Sequence, residues 1–140
     1  MKNSVFTIAL FSAILFCSSF QYVKPDESIL IGSWKVETFT KGVEDINISS
    51  LEIQLQCSVE GELGQLSGKI QKDLFSAIYE ITSKKGIKIS PIMSTNLGQS
   101  DLSKKFISSF QEVDHYVIHQ NDLELINKEL GVRITLRKEP

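Results

Sequence analysis

From Leu51 to Glu60, apolar and polar side chains alternate through ten consecutive residues: Leu-Glu-Ile-Gln-Leu-Gln-Cys-Ser-Val-Glu. Successive side chains of a strand point to opposite faces, so an extended segment puts five apolar groups, Cys57 among them, on one side and five polar groups on the other. One face on a core and one in water is the condition of an antiparallel sheet, because parallel sheets are covered on both faces. The same period returns in Phe75, Ala77, Tyr79 and Ile81, with Ser76, Glu80 and Thr82 opposite, and again in Val132-Arg133-Ile134-Thr135-Leu136-Arg137. Ser83-Lys84-Lys85-Gly86 then reads as the turn of a hairpin whose second strand holds Ile87 and Ile89, with Pro91 closing it.

The period changes once. Leu102, Phe106, Phe110 and Val113, with Ile107 beside them, form one apolar stripe of a helix over about residues 101–113. Ser100 or Asp101 supplies the side-chain oxygen that caps its first turn. A helix this short is marginal alone and has to pack on the sheet. The remaining extended segments are Ile29–Val36, where Trp34 and Val36 share a face, Leu66–Ile70, Tyr116–His119, Leu123–Ile126 and Val132–Lys138. Gly61 and Gly64 mark one turn and Asn121-Asp122 another. Lys41–Ser50 is a polar connection containing Asn47-Ile48-Ser49, a glycosylation sequon that matters only in a eukaryotic secretory route. The expected fold class is mainly β: a small antiparallel barrel-like sheet of seven or eight strands with one packed helix, in a single domain spanning 29–138.

The chain opens differently. Met1-Lys2-Asn3 carries a positive charge, and Val5–Phe16 is apolar except for Thr7 and Ser12. As a helix those residues span about 18 Å, short of the roughly 30 Å of a bilayer core, so the pattern is that of a secretory signal peptide over 1–19. Cys17 and Ser19 suit cleavage after Ser19. In the rival reading Cys17 is the lipidated first residue of a bacterial lipoprotein, although Phe16 stands where that signal wants a small residue. Residues 20–28 read as a linker. The expected location is exported, periplasmic or cell-envelope, with the membrane reached only through the leader or a lipid anchor on Cys17.

Without the leader the chain loses Lys2 and retains 14 basic against 17 acidic side chains, a net charge of −3. Lys84-Lys85 and Lys104-Lys105 are pairs rather than the basic stripe that phosphate neutralisation needs, so no nucleic-acid partner is expected. With Cys17 removed, Cys57 has no partner for a disulfide, and its inward phase makes it a packing residue rather than a nucleophile. His115 and His119 lie four residues apart, but on a strand that spacing is about 13 Å, too long for two ligands of one metal. No Gly-x-Ser-x-Gly elbow, phosphate-cradling loop or pocketed carboxylate pair is present. No catalytic, cofactor or metal site is expected.

The second half resembles the META domain, a family of small exported bacterial domains that includes a heat-shock-inducible lipoprotein. The resemblance runs from about Gly32 to Leu136. It is carried by Ile89-Ser90-Pro91-Ile92-Met93-Ser94-Thr95, by the helix leading into Phe110-Gln111-Glu112-Val113-Asp114-His115-Tyr116-Val117-Ile118, and by Leu123-Glu124-Leu125. Gly68 and Tyr79 fall where the family has a glycine and a tyrosine. Lys72 and Gln99 stand where it has cysteines, so nothing that depends on those cysteines carries over. The resemblance implies a stress-linked envelope protein with a small barrel-like fold, and the expected function is non-enzymatic, through contact with an envelope protein partner or support of the envelope. Gly32-Ser33-Trp34 also resembles the start of the lipocalin signature, which implies the alternative of a carrier holding a small apolar ligand inside the barrel, although lipocalins place their helix after the barrel strands.

Overall fold

A computed structural model describes residues 27–95 and 100–140. The expected signal peptide, Cys17, most of the linker and Gln99 lie outside the described residues. The elements are a 3-10 turn at Glu27–Leu30, strands β1 (Gly32–Lys41), β2 (Glu44–Ile46), β3 (Gln54–Glu60), β4 (Leu63–Ile70), β5 (Asp73–Ile81), β6 (Ile87–Ile89) and β7 (Met93–Ser94), helix α1 (Asp101–Glu112), and strands β8 (His115–His119), β9 (Asp122–Asn127) and β10 (Val132–Lys138).

All strand pairs are antiparallel, and the sheet follows the order β6-β5-β4-β3-β1-β10-β9-β8, with β2 added to β1 and β7 to β5. The last strand, β10, lies beside the first, β1, so the eight-stranded path leaves only β6 and β8 to be joined. Two backbone hydrogen bonds cross that seam. Ile87 N–H donates to the Asp114 carbonyl at 3.0 Å, and Tyr116 N–H donates to the Lys85 carbonyl at 2.9 Å. The Tyr116 hydroxyl adds a bond to the Lys84 carbonyl at 3.1 Å. The result is a nearly closed barrel, the class that the alternating segments predict.

The period-two pattern explains the wall. Leu55 and Cys57 on β3, Phe75, Ala77, Tyr79 and Ile81 on β5, and Val132, Ile134 and Leu136 on β10 are all buried, and their neighbours face solvent. β1 departs from the pattern. A bulge between Val36 and Thr38 slips the register, so that Trp34, Val36 and then Phe39 turn inward. The extra residue shifts the alternation by one and brings a large aromatic ring into the core that strict alternation would have left outside.

Helix α1 runs along the apolar stripe that its sequence dictates. Ser100 Oγ caps it by accepting from Ser103 N–H at 3.0 Å. Phe106 meets Phe39 edge-on with ring centroids 5.6 Å apart, and Phe110 meets Phe75 at 6.3 Å. At the far end of β1, the 3-10 turn packs against β3, β4 and β5. There the Trp34 indole N–H donates to the Leu30 carbonyl at 3.0 Å, and the Tyr79 hydroxyl donates to the Glu27 carbonyl at 2.8 Å. Helix and turn thus bring buried side chains to two parts of the barrel.

Several local expectations are corrected. Ile29 and Leu30 belong to the 3-10 turn, not to the first strand, because the chain reverses at Gly32, whose φ of +142° is open to glycine. Glu27 and Ser28, read as the end of the linker, form the start of that turn, with Glu27 buried. Leu51–Ile53 is a turn and an extended lead-in rather than part of β3. Glu52 sits at φ +49°, and Leu51 N–H donates to the Ile48 carbonyl at 3.0 Å. Burial still alternates through it, with Leu51 and Ile53 inside. The β8–β9 turn is one residue earlier than expected, at Gln120-Asn121, and Gln120 takes the left-handed conformation. Gly61 makes the β3–β4 turn, whereas Gly64 lies within β4. Two strands were not expected, β2 and β7, of three residues and two residues.

Candidate functional site

The outer wall of β3, β4 and β5 carries an open groove of about 760 Å³. Its shape follows from the strand register. One row of outward side chains runs across the strands as Ser33, Gln56, Ser67, Ser76 and Met93, each opposite the next. The row beside it runs Lys35, Gln54, Lys69 and Leu74, and Thr95 joins it through its N–H to the Leu74 carbonyl at 3.0 Å. Neighbouring strands lie about 4.8 Å apart, so the first row is about 19 Å long. The groove lies between the two rows, over the backbone of Leu55, Gly68 and Phe75, where the Leu55 and Phe75 side chains point inward. Met93 and Leu74, 72% and 56% exposed, give one end an apolar lip. Glu139 lies at the other end, where its N–H donates to the Ser33 carbonyl at 2.8 Å.

A second depression, of about 770 Å³, follows the β1 bulge and is lined by Lys35, Glu37, Asp45 and Glu52 among others. It mixes charges of both signs. Glu37 also pairs with Arg137 at 3.4 Å, and Arg137 with Asp122 at 3.6 Å. These are exposed ion pairs of the kind that contribute little.

The residues singled out in the sequence are dispersed. Cys57 faces the core as its phase requires and is a free, buried cysteine whose thiol is pushed up to about 12 by desolvation. Such a thiol is not a nucleophile at neutral pH. His115 Nδ1 lies 2.7 Å from Asp114 Oδ1, both exposed beside the seam. His119 is at the other end of β8, opposite Asp122 and in water. Among the described residues no cluster of three or more His, Cys, Asp or Glu is placed to hold a metal, and no helix is long and apolar enough to cross a membrane. Trp34 is a core residue with 1% exposure, and the Lys138 ammonium lies 5.7 Å from its ring centroid. Lys72 is exposed at the β4–β5 turn.

Sequence reasoning missed the groove. Each strand's polar face is visible in the alternation, but the residues that become neighbours, such as Ser33 and Gln56 or Ser67 and Ser76, are set by the register. The one local signal was the run of small or uncharged residues on the outward faces of the segments around Gln54–Ser58 and Gln65–Ser67.

No family model and no curated protein matches the sequence. Among solved structures the chain is similar to a DUF4847 family protein from Bacteroides vulgatus, with 14% sequence identity and a TM-score of 0.63, over 81% of this chain and 99% of that one. At that identity the likeness is one of fold alone.

Proposed function

We propose that this chain is a non-enzymatic bacterial cell-envelope protein of META-domain type, stress-linked, exported through its leader, and acting by contact with a protein partner. The observation that carries the reading is a pair of adjoining hairpin tips. Gly42, in the β1–β2 turn, donates its N–H to the Gly131 carbonyl of the β9–β10 turn at 2.9 Å. A Cβ at Gly131 would lie only 2.9 Å from Gly42 N, so the two backbones are held against each other. Next to them Val43 is fully exposed and Leu130 is half exposed. Two exposed apolar side chains on tips whose backbones are held together offer a surface that a protein partner can cover.

The test is made in source cells with a photo-cross-linking side chain at Val43, at Leu130, and at exposed Lys88 as control. The reading expects an envelope-fraction protein, leaderless or lipidated on Cys17, that gives the same discrete adduct from 43 and 130 and none from 88. A cytosolic protein that keeps its leader, or equal adducts from all three positions, sinks it.

The strand order favours a second reading, the carrier of a small apolar ligand, because eight antiparallel strands with the last beside the first form the wall such carriers use. Trp34, Phe39, Tyr79, Phe106 and Phe110 occupy the interior at 0–1% exposure. A ligand would therefore enter only if α1 withdrew Phe106 and Phe110. Saturable binding of an apolar fluorescent dye, competed by a fatty acid and enhanced by Phe106→Ala, is what this reading expects. A dye signal that never saturates counts against it.

A further inference from the structure

We propose that the groove across β3, β4 and β5 is a binding site for a neutral oligosaccharide lying across the strands. The proposal stands on the groove alone and is independent of export and of the contact at Val43 and Leu130.

Three observations carry it. The first is size: about 760 Å³ falls within the range of small-ligand sites, and the row from Ser33 to Met93 spans about 19 Å, enough for several sugar units rather than one. A sugar unit is about as long as one strand spacing, so each unit of a chain laid across the sheet meets a fresh side chain of the row.

The second is the kind of group presented. The floor is a sheet face, and β4 is paired along both edges, with β3 and with β5. Its backbone N–H and C=O groups are already in ladders, so an extended peptide cannot dock there by adding a strand. Recognition falls to side chains. Ser33, Ser67, Ser76, Gln54 and Gln56 are exposed, and each both donates and accepts. Vicinal hydroxyls, which also both donate and accept, are their complement. Leu74 and Met93 at one lip offer apolar surface for the C–H face of a sugar ring.

The third is charge. Lys69 and Glu139 are the charged groups lining the groove itself, one of each sign among uncharged partners, and Lys35, at the end of the second row, falls outside that lining. A polyanion would meet one ammonium and one carboxylate and gain nothing net, so the ligand that matches carries no net charge.

The experiment is a heteronuclear NMR titration of the full chain with cellotetraose, maltotetraose and chitotetraose as neutral probes and tetragalacturonate as the charged one. The expected result is saturable shifts, with at least one neutral probe, confined to the amides of Gln56, Ser67, Ser76 and Met93 and their neighbours. Gln56→Ala should weaken that binding by about three- to tenfold, the loss of one net hydrogen bond. Ser67→Trp, which fills the groove from an exposed position, should abolish it while the remaining spectrum shows the fold intact. If no neutral probe shifts these amides, if shifts fall elsewhere, or if tetragalacturonate shifts them as strongly, the proposal is overturned.

Discussion

The ring of Phe75 on β5 lies across the bare Cα of Gly68, its register partner on β4, so closely that a Cβ at Gly68 would overlap the ring. Four residues earlier on β4, Gly64 has the same relation to Tyr79, where a Cβ would sit 2.5 Å from the ring. Each glycine is the space that its aromatic partner fills, and both rings are buried. This is how a strand with two glycines still contributes to a packed wall.

Gly68→Ala should therefore destabilise the protein by about 1–3 kcal/mol, the range for overpacking a core. Gly61→Ala makes the contrast. Its site is open, and the cost there comes only from its φ of +65°, about 1–2 kcal/mol. Urea unfolding of both variants checks the pair. A Gly68→Ala change that leaves the midpoint of unfolding unmoved would show that the Phe75 ring has room to shift.

Cys57 gives a pH dependence with a defined sign. Its thiol is held neutral, with the pKa raised from 9.0 to about 12 by desolvation. The folded state therefore keeps a proton that the unfolded state loses. The stabilisation is complete below pH 9 and disappears as pH rises from about 9 to 12. Cys57→Ala should flatten the part of the stability curve between pH 9 and 11 that belongs to this thiol, while costing about 1–2 kcal/mol at pH 7 for the small cavity. Unfolding curves at pH 7, 9 and 10.5 decide it, and equal alkaline slopes for the two proteins would remove Cys57 from the account.

The seam between β6 and β8 is the thin part of the wall. Two backbone bonds hold it, at Ile87 and Tyr116, against the seven paired positions of β1 with β10. Local opening takes place where few bonds have to break. The amides of Ile87 and Tyr116 should exchange with deuterium well before those of Val36 and Ile134. Tyr116→Phe, which removes the hydroxyl bond to the Lys84 carbonyl, should cost about 1 kcal/mol and speed exchange at the seam first. Uniform acceleration across the barrel would argue that the seam opens only with global unfolding.

Ser109 is fully buried on α1, and its hydroxyl has no hydrogen-bond partner among the described residues. Burying a hydroxyl without a partner is unfavourable, and alanine is the better helix former. Ser109→Ala should raise stability by about 0.5–1.5 kcal/mol, visible as a higher melting temperature. A lower one would mean that the hydroxyl finds a partner, such as the carbonyl one turn back.

Asn127 ties the helix to the last hairpin. Its side-chain amide donates to the Glu112 carbonyl at 2.7 Å, and its Oδ1 accepts from Leu130 N–H at 3.0 Å. Asn127→Leu leaves both backbone groups without their protein partner in a partly buried place and should cost about 1–3 kcal/mol. Asn127→Asp keeps the acceptor and loses the donor, so it should fall between, as chemical denaturation would show.

Local order was legible where one element's own residues decide it. The Ser100 cap, the stripe through Phe106 and Phe110, and the inward phase of Cys57 all depend on neighbours a few positions away, and they stand as the pattern predicts. The turn at Glu52 and the 3-10 turn at Glu27–Leu30 were not legible, because alternation in burial continues through the first and because the second is held by contacts with β3, β4 and β5.

The sequence by itself determined the class of the protein: antiparallel strands with one wet face and a single packed helix, since periods of two and of about 3.6 residues admit little else. The tertiary structure decided what the wall does. The bulge that turns Phe39 inward, the glycines that admit Phe75 and Tyr79, the seam at Asp114–Tyr116, and the row that assembles Ser33, Gln56, Ser67 and Ser76 all depend on register. Register is a relation between segments that lie far apart in the chain, and the alternation within each one leaves it open.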